Sequence, residues 1–164
     1  METPEGLLAR LAAAGIATRT VRHAAVFTVA ESQALRGELP GAHSKNLFLR
    51  EAKTGQLCLA VLEEGRRVSV NALARAAGWG KVSMAEAQAL RATLGVEPGS
   101  VTPFGLVNAR PGEVRVALDA ALAESAGLAW FHPLVNTRST GLAGAALVRV
   151  LERWGHPPQV LTPA

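Results

Sequence analysis

Pro40-Gly41-Ala42-His43-Ser44-Lys45-Asn46-Leu47-Phe48-Leu49 is the stretch on which the reading of this 164-residue chain turns. Pro-Gly marks a turn. Leu47, Phe48 and Leu49, with the apolar run Leu57 to Leu62 beyond the next turn, read as buried strands. The polar Glu51-Ala52-Lys53-Thr54-Gly55 between them predicts a hairpin of Ser44 to Arg50 against Leu57 to Leu62. Ser44, Lys45 and Asn46 then sit at the mouth of a strand that enters the core, and all three can donate hydrogen bonds. Lys45 is one of three lysines beside fourteen arginines. Its compact ammonium suits a phosphate, a carbonyl or a sugar hydroxyl. The plainer alternative is a lysine snorkelling at a strand start beside a turn-forming asparagine.

Towards the N-terminus, Thr3 caps a helix with Pro4 at its first position, Leu7, Leu8 and Leu11 share a face, and Gly15 ends it. Thr18 to Val21 alternates like an edge strand. Thr28 is placed to cap a helix through Leu35, with Glu31 completing a capping box and Gly37 as the stop. Beyond the hairpin, a short strand at Arg67-Val68 leads to a helix capped by Ser69 or Asn71 and ended by Gly78. Ser83-Met84-Ala85-Glu86 predicts another capping box, opening a helix with Ala87, Leu90 and Leu94 before Gly95. Val96 to Gly105 is too rich in Gly and Pro for regular structure and reads as a stiff loop able to offer backbone N–H groups. Val114 to Leu118 is strand-like, Asp119 caps a short helix from Ala120 to Glu124, and Ala129 to Leu134 runs from a strand into a turn. Pro133 holds His132 extended. Asn136 to Thr140 is a polar strand or loop; a final helix begins at Thr140 or Gly141 and runs through Trp154. Irregular alternation around a central hairpin predicts a single α/β domain over residues 1–164. Its sheet is expected to be mixed and partly closed, barrel-like, with flanking helices.

Composition agrees with one substantial core, with 49% hydrophobic residues and a mean hydropathy of +0.19. A net charge of +4 and a pI near 10.2 permit a polyanionic partner without demanding one. Cys58, the single cysteine, lies inside an apolar run and reads as a buried thiol. The four histidines lack metal-ligand spacing, so no metal is expected, and no cofactor is called for. One aspartate among scattered glutamates offers no pair of catalytic carboxylates. A polar, acidic start is unlike a signal peptide, and no apolar run reaches the length of a membrane span. The expectation is a cytoplasmic protein without a membrane partner, monomeric or weakly dimeric.

Three separated pieces, Gly41 to Leu49, Pro98 to Leu106 and Phe131 to Thr137, resemble in order and spacing the YbaK/prolyl-tRNA synthetase editing-domain family. The likeness is greatest to its free-standing alanyl-tRNA(Pro) deacylase branch, and it runs from Val26-Phe27-Thr28 to Gly155-His156-Pro157-Pro158. The resemblance implies a trans-editing hydrolase that removes alanine wrongly attached to tRNA(Pro), on a mixed, partly closed sheet. It implies that Lys45 is the family's essential lysine, paired with Asn46, that His132 is its pocket histidine, and that Gly99, Ser100, Val101, Thr102 and Pro103 form its Gly-x-x-x-Pro loop. Substrate contacts are expected further at Phe27, Thr28, His43, Ser44, Phe104, Val135 and Asn136. Ser44 stands where the family commonly has threonine, and the hydroxyl is kept.

An aminoacyl ester is already activated, so orienting a water and stabilising the oxyanion can suffice. On this reading Lys45 and the Gly99 loop hold the terminal adenosine, its phosphate and the carbonyl, and the ribose 2′-hydroxyl assists the water. A methyl-sized pocket walled by Phe27, Thr28, His132 and Val135 excludes the proline ring. Partners would be the acceptor end of mischarged tRNA(Pro), with prolyl-tRNA synthetase or an elongation factor as transient ones. Two alternatives remain: a deacylase for serine or cysteine, and a non-catalytic module that binds tRNA or a synthetase.

Overall fold

The computed structural model describes residues 1–25, 30–31, 34 and 39–163. Its elements are α1 (Pro4–Ala13), β1 (Arg19–Arg22), β2 (Ala42–Glu51), β3 (Leu57–Glu63), α2 (Val70–Ala77), β4 (Val82–Met84), α3 (Ala87–Leu94), a 3-10 turn (Pro103–Asn108), β5 (Val114–Asp119), α4 (Ala120–Ala123), β6 (Leu128–Phe131), β7 (Arg138–Ala143), α5 (Gly144–Arg153) and β8 (Gln159–Leu161). The strands form one sheet in the order β1-β7-β6-β2-β3-β5-β8, with β4 also on β2. β2–β6, β3–β5 and β5–β8 are parallel and the rest antiparallel. The expected mixed α/β sheet with flanking helices is what forms.

The central hairpin explains why its apolar runs are continuous. Phe48, Leu59 and Val61 point into one core, with α1, α3 and α5, while Leu49, Cys58, Ala60 and Leu62 point into a second, with α2. Neighbours along a strand face opposite sides, so a strand covered on both faces has no polar side to show. β2 is the longest strand because it serves two sheets' worth of partners. One edge pairs with β3 throughout; the other pairs with β6 only at Ala42 and His43, and with β4 only from Leu49 to Glu51. Among the described strands none meets that second edge over residues 44–47, and the sheet forks there.

Several local expectations need correction. Residues 67–68 form no strand; the chain after β3 turns instead through residues 64–65 and is held by side chains. Ser83 is not a helix cap, because Ser83 and Met84 are drawn into β4 against Arg50 and Leu49, and α3 begins only after Glu86. The last helix begins at Gly144 rather than Thr140 or Gly141, whose backbones are taken up by pairing with both β1 and β6. The Gly/Pro-rich stretch ends in a 3-10 turn, with Thr102 Oγ1 accepting the Phe104 N–H at 3.2 Å. Thr3, Ser69 and Asp119 cap their helices as expected. The capping box at Thr28 and Glu31 falls outside the described residues but for Glu31.

Candidate active site

A cavity of about 450 Å³ opens at the fork in the sheet. Its floor is the unpaired run of β2, with Ser44, Lys45 and Asn46, and β4 and α3 form one side, Pro98, Gly99 and Val101 another, and β6–β7 the third. At the narrow end of the fork the backbones close on each other at Gly41, at φ 127°, where a Cβ would lie 2.1 Å from the Leu128 carbonyl oxygen. Trp130 Nε1 donates to Pro40 O at 2.9 Å, and its ring stacks on His43, whose Nε2 donates to Leu39 O at 2.8 Å.

Lys45 donates from Nζ to the Arg66 carbonyl, leaving two of its three donors uncommitted among the described residues. That carbonyl is placed by the turn after β3. Glu64 N–H donates to His43 O at 2.8 Å, and Arg66 N–H to Glu63 O at 3.0 Å. The Arg66 guanidinium forks onto Asp119, Nε to Oδ2 at 2.8 Å and Nη2 to Oδ1 at 3.1 Å. Asp119 also accepts the Glu63 and Ala121 N–H groups, each at 3.0 Å, and is fully buried. Burial alone would raise its carboxyl pKa; the Arg66 fork and the two N–H donors outweigh that and hold it below the usual carboxylate range.

Ser44 Oγ donates to Trp130 O at 2.9 Å and accepts Asn46 Nδ2 at 3.3 Å; Asn46 Oδ1 is buried with no partner among the described residues. Across the cavity, His132 Nδ1 bonds Arg138 O at 3.1 Å, and burial pushes the His132 pKa down, so the ring is neutral near pH 7. The turn that fixes it passes through Leu134 at φ 72°, a left-handed conformation unfavourable for leucine, with Leu134 N–H on His132 O at 2.9 Å.

His43, Ser44, Lys45, Asn46, Gly99, Val101 and His132 therefore line one cavity although they come from three distant parts of the chain. Ser100, Thr102, Pro103 and Phe104 do not line it; they are packed behind the loop, Phe104 edge-on to Phe131 at 5.9 Å. Val135 and Asn136 also lie off the cavity, and Phe27 and Thr28 lie outside the described residues. Sequence reading missed Ser139, which lines the cavity from β7 and bonds His23 Nε2 at 2.8 Å. Residues 138 to 143 show no polar–apolar alternation to mark a strand, and the expectation of a helix starting there hid it.

Residues 23–150 match the family described as the aminoacyl-tRNA editing domain. The prolyl-tRNA synthetase associated domain-containing protein 1 of Bos taurus is 36% identical over 155 residues, covering 93% of this chain and 90% of that protein. The prolyl-tRNA editing protein ProX of Acetoanaerobium sticklandii is 29% identical over 156 residues, covering 95% of this chain and 94% of the other. Among solved structures, one described as a candidate trans-editing enzyme for prolyl tRNA synthetase superposes with a TM-score of 0.72 at 21% identity, covering 99% of this chain and 97% of that one, a likeness of fold.

Proposed function

The chain belongs to the aminoacyl-tRNA editing domain family, and on that premise we propose that it is a trans-editing deacylase that hydrolyses alanine from mischarged tRNA(Pro), as in the free-standing alanyl-tRNA(Pro) branch. The observation that carries the reading is Lys45 at the fork, with two ammonium donors uncommitted among the described residues, at a cavity also lined by Gly99 and His132. A cation with free donors at that mouth suits a terminal phosphate or the ester carbonyl, whose oxygen gains negative charge as water attacks. The 2′-hydroxyl of the terminal ribose assists that water, and His132, neutral and buried, borders the aminoacyl group rather than acting as general base. The Gly99–Pro103 loop positions the 3′ end, Gly99 and Val101 by direct contact and Ser100, Thr102 and Pro103 by support from behind. His132 borders the space that admits a methyl group and rejects a pyrrolidine ring, with Phe27 and Thr28 as the other expected wall residues; Val135 and Asn136, off the cavity, are not part of it. The work requires access to tRNA(Pro) in the cytoplasm, with transient contact to prolyl-tRNA synthetase or an elongation factor, and no cofactor.

Deacylation of Ala-, Ser-, Cys- and Pro-tRNA(Pro) by wild type and Lys45→Ala tests the reading. Rapid loss of alanine alone, abolished by the substitution, is expected. Preferential loss of serine or cysteine would reassign the substrate, and tRNA binding without hydrolysis would make the protein a binding module.

A further inference from the structure

The polar atoms on one side of the cavity have their protons committed elsewhere. A main-chain carbonyl only accepts, so His132 Nδ1 carries the proton it gives to Arg138 O, and Nε2 is left as a lone-pair acceptor. The same logic fixes His23. Its Nδ1 lies 2.7 Å from Ala24 O and carries a proton, so in the neutral imidazole Nε2 accepts from Ser139 Oγ at 2.8 Å. The Ser139 hydroxyl proton is thereby spent, and its oxygen faces the cavity with lone pairs only. Ser44 gives its proton to Trp130 O and so must accept from Asn46 Nδ2, which turns Asn46 Oδ1 to a buried position closed to the cavity, without a partner among the described residues. β7 and the end of β6 thus bring acceptors to one cavity, while the ammonium donors of Lys45 enter it from β2.

We propose that His132 Nε2 and Ser139 Oγ form a subsite for the α-amino group of the aminoacyl ester. The assignment rests on the deacylase reading and adds to it the part of the substrate that this end of the cavity takes. A carbonyl or phosphate oxygen there would meet lone pairs. An α-amino group brings two N–H donors when neutral and three, with a positive charge, when protonated. A proline ester, as a secondary amine, offers one N–H fewer in either state, so the same atoms add a chemical preference for a primary amine to any steric one.

The test uses two hydrolysis-resistant ligands, 3′-alanylamido-3′-deoxyadenosine and its propionylamido counterpart, which differs by loss of the α-amino group. Calorimetric or NMR titration of the full chain should show the alanyl compound binding about tenfold or more tightly, the usual worth of a charge-assisted hydrogen bond. Ser139→Ala should shrink that ratio by about threefold or more while leaving the Kd of the propionyl compound unchanged, which a general loss of packing would not do. Equal affinity for the two ligands, or no binding of either, overturns the subsite. Failure of wild type to deacylate any tRNA, with the amine preference intact, would instead overturn the hydrolase and leave the subsite standing.

Discussion

Lys45 differs from the other two lysines in having its ammonium tied to a carbonyl of the same scaffold, that of Arg66. An arginine at this position would place a planar, bulkier fork where a point donor is held, so the substitution is not conservative. Lys45→Arg is expected to reduce kcat/KM for the preferred aminoacyl-tRNA by about a hundredfold, the scale of losing one preorganised donor to a developing oxyanion. Its melting temperature should stay close to that of wild type, because the residue sits at a cavity edge. Cys58 is the opposite case, a reactive atom type without access. It is fully buried, and burial pushes its thiol up to about 11, with only a long Sγ contact to Gln56 O at 3.8 Å. Ellman titration at neutral pH should therefore find no fast-reacting thiol in the folded protein and one on unfolding.

The turn after β3 and the capped start of α4 are one element in energetic terms, because Asp119 ties both together and sets the carbonyl that Lys45 uses. Asp119→Asn removes the charge opposite Arg66 while keeping the volume. The expected loss is about 2–3 kcal/mol, below the full cost of breaking a buried pair because Arg66 is 31% exposed and can rehydrate. Equilibrium urea unfolding measures it, and deacylation should fall with it. The helix cap at Asp119 was legible from sequence, since a lone aspartate before an apolar run is a cap by local chemistry. Its second role was not, because Arg66 lies 53 residues away and no local pattern pairs them. The same division holds elsewhere. The β2–β3 hairpin and the α1 and α2 caps follow from neighbours in sequence. β4 and the start of α5 were misread because pairing with β2, β1 and β6 overrode the local helix signals of Ser83 and Gly141. Lys45, Gly99 and His132 were found by motif, whereas Ser139 needed the register of β7 to come into view.

At the scale of the molecule, a sheet covered on both faces leaves the chain with polar groups it must bury, and histidine is the one whose charge changes near neutrality. His156 is 1% exposed, and burial lowers its pKa against the opposing pull of the Arg110 and Trp154 backbone, as burial lowers that of His132. Both are neutral in the native state at pH 7. In the unfolded chain they bind protons below about pH 6.5. The unfolded state then holds more protons than the native one, so stability is full above that pH and falls as acid is added, until the depressed native values are reached. Asp119 contributes in a separate, lower window, because its depressed carboxyl keeps its stabilisation above about pH 4 and loses it only below. Two acid steps are therefore expected rather than one. His156→Phe should flatten part of the upper step, since phenylalanine fills similar space without a site to protonate, and should leave the lower step in place. Urea midpoints measured from about pH 8 to about pH 3 would show this. An unchanged upper step in the variant would place the acid sensitivity on His132 alone, and thus at the cavity rather than in the core between α5 and β8.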